Sequence, residues 1–189
     1  MQRKGVAQRI ESLGGRRDDE GAGRREPLIG VAMINRIDHL NVVVSDLEQA
    51  KDFFALLGFV EGLGAELDPA FLTRLTGIDG ARGRFITLCH PGSTTTIELL
   101  QFDVGSGADP QLGRADRIGL RHLAFAVDDI EAVVGRLRAA GTTFLSDIQT
   151  WEKTGKRLVY LYGPDGILLE LAEYPQTAPS VVEAQTRCS

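Results

Sequence analysis

The chain predicts an α+β fold built from one supersecondary unit used twice, and three observations carry that prediction. First, Asp38-His39-Leu40 running on to Val44-Ser45-Asp46-Leu47-Glu48 recurs as Arg121-His122-Leu123 running on to Val127-Asp128-Asp129-Ile130-Glu131. Second, Ile97-Glu98-Leu99-Leu100-Gln101-Phe102 recurs as Leu169-Glu170-Leu171-Ala172-Glu173-Tyr174. Third, the hydrophobic period switches from two to 3.6 residues at the same place in each copy. His122 follows His39 by 83 positions, whereas Glu170 follows Glu98 by 72, so the first copy holds 11 more residues between its helix and its last strand. Two copies of this size suggest a duplicated unit closing one core, not an open array.

From Ile37 to Val44, Leu40, Val42 and Val44 alternate with His39, Asn41 and Val43, which is a strand with one apolar face. Ser45-Asp46-Leu47-Glu48 is a capping-box pattern, and Leu47, Ala50, Phe54 and Leu57 follow at helical spacing up to Gly58. In the second copy Leu123, Phe125 and Val127 form the apolar strand face. Asp128 to Glu131 opens the helix, Ile130, Val133, Val134, Leu137 and Ala140 line its buried side, and Gly141 closes it. Further strands are expected over 85–89, 95–102, 157–162 and 167–174. His90-Pro91-Gly92-Ser93 and Gly163-Pro164-Asp165-Gly166 supply the turns, proline presetting one dihedral and glycine supplying positive φ. Each half then reads strand, helix and about three antiparallel strands, with the helices on one face.

At 189 residues the chain can bury a substantial core, in modules expected over 33–112 and 113–176. A net charge of −5 and the lack of a basic patch argue against nucleic acid or an anionic membrane as partner. No apolar run is long enough to span a bilayer. Cys89 in an apolar run and Cys188 near the end make neither a disulfide framework nor a thiolate metal site, which points to a reducing compartment, the cytoplasm by default. Residues 1–32, rich in Arg, Gly, Asp and Glu, read as a flexible extension, with Met33 an alternative start. Residues 177–189 read as a loose tail.

Neighbours on a strand alternate between faces, so if Ile97, Leu99, Leu169 and Leu171 pack under the helices, Glu98 and Glu170 point the other way, as His39 and His122 do. Two imidazoles and two carboxylates lining one cleft are costly to desolvate unless a cation satisfies them. A single divalent metal held by His39, Glu98, His122 and Glu170 does so. That ligand set suits Zn, Ni, Co, Mn or Fe(II). Taken singly, each of these residues reads as an ordinary surface or satisfied core group; their repetition in matched modules favours the metal. His90 has Tyr162 at the corresponding repeat position and reads as a turn residue. Trp151 reads as a half-buried structural residue.

Ile37-Asp38-His39-Leu40 with Val43-Val44-Ser45-Asp46-Leu47-Glu48, Gly119-Leu120-Arg121-His122-Leu123-Ala124-Phe125 and Gly163-Pro164-Asp165-Gly166 with Leu169-Glu170-Leu171 resemble the vicinal oxygen chelate superfamily. The resemblance spans Met33 to about Pro175. It implies paired βαβββ modules forming a cupped mixed sheet around one metal, often in a homodimer, and a small-molecule substrate with chelating oxygens. Its members include glyoxalase I, methylmalonyl-CoA epimerase, extradiol dioxygenases, fosfomycin-resistance transferases and metal-free drug-binding proteins. Val43 and Phe102 stand where bacterial-type glyoxalase I carries Arg and Asn to hold glutathione, which argues against that substrate. Glu98 stands where the epimerases usually carry Gln, and Asp79 is the nearest match to their separate acid.

The leading expectation is a metal-dependent isomerase or lyase that moves a proton next to a metal-chelated carbonyl, with Glu98 and Glu170 as candidate catalytic carboxylates. The alternatives are an Fe(II) extradiol-type dioxygenase using His39, His122 and Glu170, and a non-catalytic binding or resistance protein.

Overall fold

The structure, a computed structural model, describes residues 34–103, 107 and 109–175. The expected extension over 1–32 and tail over 177–189 lie outside the described residues. Residues 34–36 form no helix or strand, and the compact unit begins at Ile37.

The first module runs β1 (His39–Val43), α1 (Leu47–Ala55), β2 (Val60–Leu67), α2 (Pro69–Thr76), β3 (Gly83–Cys89) and β4 (Thr96–Phe102). The second runs β5 (His122–Ala126), α3 (Ile130–Ala139), β6 (Gln149–Trp151), β7 (Lys156–Tyr162) and β8 (Leu168–Glu173), with one 3-10 turn over Pro164–Gly166. Each module makes a four-stranded mixed sheet, in the orders β1-β4-β3-β2 and β5-β8-β7-β6. In both, the first strand pairs parallel with the last, Asn41 opposite Glu98 and Ala124 opposite Glu170. That pairing places the histidine strand beside the glutamate strand twice over.

The two main helices start where the chain changes period, but each cap lies one residue beyond the start of its pattern. Asp46 caps α1, its Oδ1 accepting from the Gln49 amide at 3.0 Å. Asp129 caps α3 in the same way through the Ala132 amide. Glu48 does not close a capping box; it pairs with Lys51. After each helix a glycine takes a left-handed conformation, Gly58 at φ 89° and Gly141 at φ 88°, which a side chain would strain.

Leu47, Ala50 and Phe54 bury α1 against Leu88, Ile97 and Leu99, while Ile130, Val134 and Leu137 bury α3 against Val159, Leu161, Leu169 and Leu171. Phe53, Leu57, Leu123, Phe125 and Ile167 touch both clusters, so the apolar faces of the modules meet along α1 and β5. A polar tie reinforces that seam. The Asp165 carboxylate, on a residue at φ 53°, accepts from both the amide and the hydroxyl of Ser45.

The third antiparallel strand of each module was expected without a position, and α2 was not expected. The expected long loop over 61–84 contains β2 and α2, and the stretch around Trp151 forms β6, with Trp151 about half exposed. Every residue of β2 but Leu67 is exposed, and its register shifts between Glu61 and Gly64, so it shows no alternation. Helix α2 buries only Leu72 and is set by its ends: Asp68 caps it, Pro69 starts it and Gly77 ends it at φ 72°.

Candidate metal and ligand site

Strand parity places the four expected ligands as anticipated, on the sheet faces away from the helices. Ile97 and Leu99 are buried on either side of Glu98, and Leu169 and Leu171 on either side of Glu170. The parallel pairing then brings each glutamate to its histidine. His39 Nε2 lies 3.8 Å from Glu98 Oε1, and His122 Nε2 lies 3.4 Å from Glu170 Oε2. Among the described residues, no group of three or more His, Cys, Asp or Glu side chains is close enough to share an ion. The structure thus brings the four together as two pairs, one per module.

The pairs differ in surroundings. In the first, Asp38 Oδ2 lies 3.1 Å from His39 Nδ1, which turns Nε2 toward Glu98. A carboxylate behind an imidazole in this way fixes its ring and raises its basicity as a ligand. Glu98 keeps partial solvent contact and accepts at 2.8 Å from Asn41 Nδ2, its partner across the ladder.

The second pair is buried more deeply. Glu170 is the buried charged residue of the core, 4% exposed. Its Oε1 accepts from Lys156 Nζ at 2.7 Å, leaving Oε2 toward His122. The Glu170 hydrogen bond holds the Lys156 pKa above its ordinary value of 10.5, so the lysine is charged throughout the neutral range. The Tyr174 ring lies 5.4 Å from the same ammonium. Tyr160, opposite Glu170 on β7, packs its ring 5.2 Å from that of His122, and burial followed by the Glu170 charge pushes its phenol pKa up.

The donor chemistry fits a divalent ion. Two ligands each about 2.1 Å from one ion, at tetrahedral or octahedral angles, lie about 3.0–3.4 Å apart. The 3.4 Å separation of the His122–Glu170 pair falls in that range and the 3.8 Å of His39–Glu98 just outside it. Both are too long for a good hydrogen bond, so neither imidazole is simply donating to its carboxylate.

A mostly apolar cavity of about 900 Å³ opens along β1 and β5. Val43, Phe102, Asp79 and His122 are among its walls. His90 lies elsewhere, its Nδ1 accepting from the Gly92 amide in the turn and its ring 5.1 Å from Phe59. Cys89 is half-buried and free. Lys156, Tyr160, Asn41 and Arg121 were not anticipated as site residues. A signal was present for the first two: in β7 they fall on the parity that faces Glu170, but a strand begun at Arg157 leaves Lys156 outside.

With fold and site in view, comparison with known proteins settles the class. Residues 36–171 match the Glyoxalase/Bleomycin resistance protein/Dioxygenase superfamily, and the chain belongs to it. The chain is 32% identical over 163 residues to a 2-epi-5-epi-valiolone epimerase of Actinomyces sp., covering 80% of this chain and 86% of that protein. It is also 27% identical to the metallothiol transferase FosB of Shouchella clausii, covering 79% and 94%. Among solved structures, a glyoxalase family protein from Bacillus cereus superposes with a TM-score of 0.68 at 27% identity, over 81% of this chain and 99% of that one. The family therefore includes enzymes. Among the described residues, no helix is long and apolar enough to cross a membrane.

Proposed function

We propose that this chain is a divalent-metal-dependent isomerase or lyase that moves a proton next to a chelated carbonyl, and that it works as a homodimer in the cytoplasm. The observation that carries the reading is the His122–Glu170 pair, a buried carboxylate oxygen 3.4 Å from an imidazole nitrogen, repeated in the other module by His39 and Glu98. Each pair supplies half of a four-ligand set. A second copy of the chain, offering His39 and Glu98 to the His122 and Glu170 of the first, completes it, in keeping with a closed two-fold dimer.

The residues divide the work by their surroundings. Glu170, buried and tied to Lys156, is a fixed ligand. Glu98, with solvent contact and one amide donor, is the carboxylate free enough to take a proton from carbon and return it. A divalent ion held there supplies Lewis acidity, polarising the carbonyl whose neighbouring carbon loses the proton. Asn41 and Asp38 hold Glu98 and His39 in place for that transfer. The substrate is a small molecule with chelating oxygens, and the epimerase among the relatives supports proton transfer at carbon.

One observation favours a second reading. Glu98 Oε1 is already engaged by Asn41, as it would be if only His39, His122 and Glu170 bound the metal, the set of an Fe(II) dioxygenase. Elemental analysis of protein purified without chelator separates the two. Zn, Ni or Co at one ion per chain, with no oxygen uptake on catechols, supports the isomerase or lyase; Fe(II) with oxygen uptake supports the dioxygenase. No bound metal, with ligand binding but no turnover, contradicts both and leaves the non-catalytic binding protein.

A further inference from the structure

The cavity beside β1 and β5 holds an unmet donor. Among the described residues, Arg121 Nε is the only buried side-chain nitrogen or oxygen without a hydrogen-bond partner, and Arg121 lines the cavity. Its Nη1 reaches only the Gln111 carbonyl, at 3.5 Å, the outer limit of a hydrogen bond. A buried donor left unmet costs about 1–3 kcal/mol, and more when charged. Nε itself has no accessible surface, so an acceptor arriving in the cavity meets the terminal nitrogens, of which Nη1 is so weakly held.

The rest of the wall limits what that acceptor belongs to. Val42, Ala81, Leu112, Ile167 and Leu169 present hydrocarbon, and a volume of about 900 Å³ admits a whole small molecule. A neutral hydrocarbon leaves the guanidinium unmet, and a cation meets a like charge. A carboxylate fits, because it accepts from both terminal nitrogens of one guanidinium at once. Among the described residues Asp79, Asp109 and Asp165 line the same cavity and Arg82 does so besides Arg121, three carboxylates against two guanidiniums of which Arg82 is exposed, so a singly charged acid is favoured over a dianionic phosphate. Asp109 and Asp165 are themselves engaged, by the Gln111 amide and by Ser45.

We propose that this cavity binds the apolar body of an organic carboxylic acid, with the carboxylate on Arg121. His122 lines the same cavity, so an acid held there extends toward one half of the metal site. Naming that acid the substrate rests on the metal-dependent reading above; the binding itself does not.

The test is calorimetric titration of the full-length chain, with and without prior chelator treatment, using octanoate, 1-octanol and octyl phosphate as probes. Octanoate is expected to bind at least tenfold more tightly than 1-octanol whether or not metal is present. In Arg121→Met that preference disappears while 1-octanol affinity is unchanged, which also shows that the variant is folded. Arg121→Lys keeps part of the preference, having the charge without the paired donors. Equal binding of octanoate and 1-octanol to the wild-type chain, no binding of either, or an undiminished preference in Arg121→Met overturns the proposal. Tighter binding of octyl phosphate than of octanoate overturns the carboxylate assignment. A chain that prefers octanoate but takes up no metal retains this site and loses the metal-dependent reading, so the two fail separately.

Discussion

Lys156 Nζ lies 2.7 Å from Glu170 Oε1, and the other oxygen of that carboxylate faces His122. The buried glutamate thus has a cation on one side and an imidazole on the other. This arrangement lets the chain bury a charge before any metal is bound. A metal held there, as proposed, would have to share that charge with Lys156.

Lys156→Met should therefore separate stability from metal affinity. Removing one partner of a fully buried pair costs about 3–5 kcal/mol, and the solvent contact Lys156 keeps reduces this to about 1–3 kcal/mol. Metal-free protein should melt several degrees lower, at about 2–4 °C per kcal/mol for a chain of this size, and metal affinity should rise as a like charge leaves. Thermal melts and metal titration read both effects; an unchanged melting point with weaker metal binding would show the lysine to be a support for ligand geometry instead. In the metal-free wild type the folded-state pKa of Lys156 is raised, so its contribution is fully present below about pH 10.5 and is lost as pH climbs through the raised value. The melting-point gap between wild type and Lys156→Met should accordingly be constant through neutral pH and narrow only above that point.

Glu98→Gln and Glu170→Gln should differ in kind. On the proposed division of roles Glu98, with partial solvent contact, carries the proton, so its amide should retain metal while turnover falls about 10²- to 10⁴-fold, the span of general acid–base catalysis. Glu170→Gln, which neutralises the buried carboxylate, should lose tight metal binding and turnover together. Metal content measured beside activity decides the case, and metal loss of similar extent in both variants would remove the division of roles.

Asp165→Ala should loosen the seam between the modules. It removes two bonds to Ser45 and leaves a side chain other than Asp or Asn at φ 53°, for a cost of about 1–3 kcal/mol. Asp165→Gly, which tolerates that φ but makes no bond, should cost less. Urea midpoints rank the two, and Gly worse than Ala would mean that the backbone conformation imposes no strain.

Phe54→Ala should be the most damaging of the core changes in the first module, at about 3–5 kcal/mol, because the ring is fully buried between α1 and the sheet. A loss below 1 kcal/mol in chemical denaturation would show that the core relaxes to fill the space.

The repeated part of the fold was legible because burial on one face imprints a period. Leu40 and Val42 against His39 and Asn41 gave the strand, Leu47, Ala50 and Phe54 the helix, and Gly58 and Gly141 their ends. Strand β2 left no such imprint, since it buries neither face. The candidate site was legible one pair at a time: parity told which way His39, Glu98, His122 and Glu170 point, and the repeat told that they match. How far one pair lies from the other depends on how the modules pack along α1 and β5, and no local pattern encodes that. Arg121 was invisible for a related reason, because an unmet donor is defined by the absence of partners brought from elsewhere in the chain.

The central claim is that each metal centre takes one pair from each of two copies, and complementation tests it most directly. His39→Ala and His122→Ala, purified alone, should each bind no metal tightly. Mixed through unfolding and refolding, half of the dimers carry one of each chain and each such dimer holds one intact set of four ligands. The mixture should regain roughly one quarter of the wild-type metal content. Mixed dimers that form, as shown by co-purification of differently tagged chains, yet take up no metal would contradict the account.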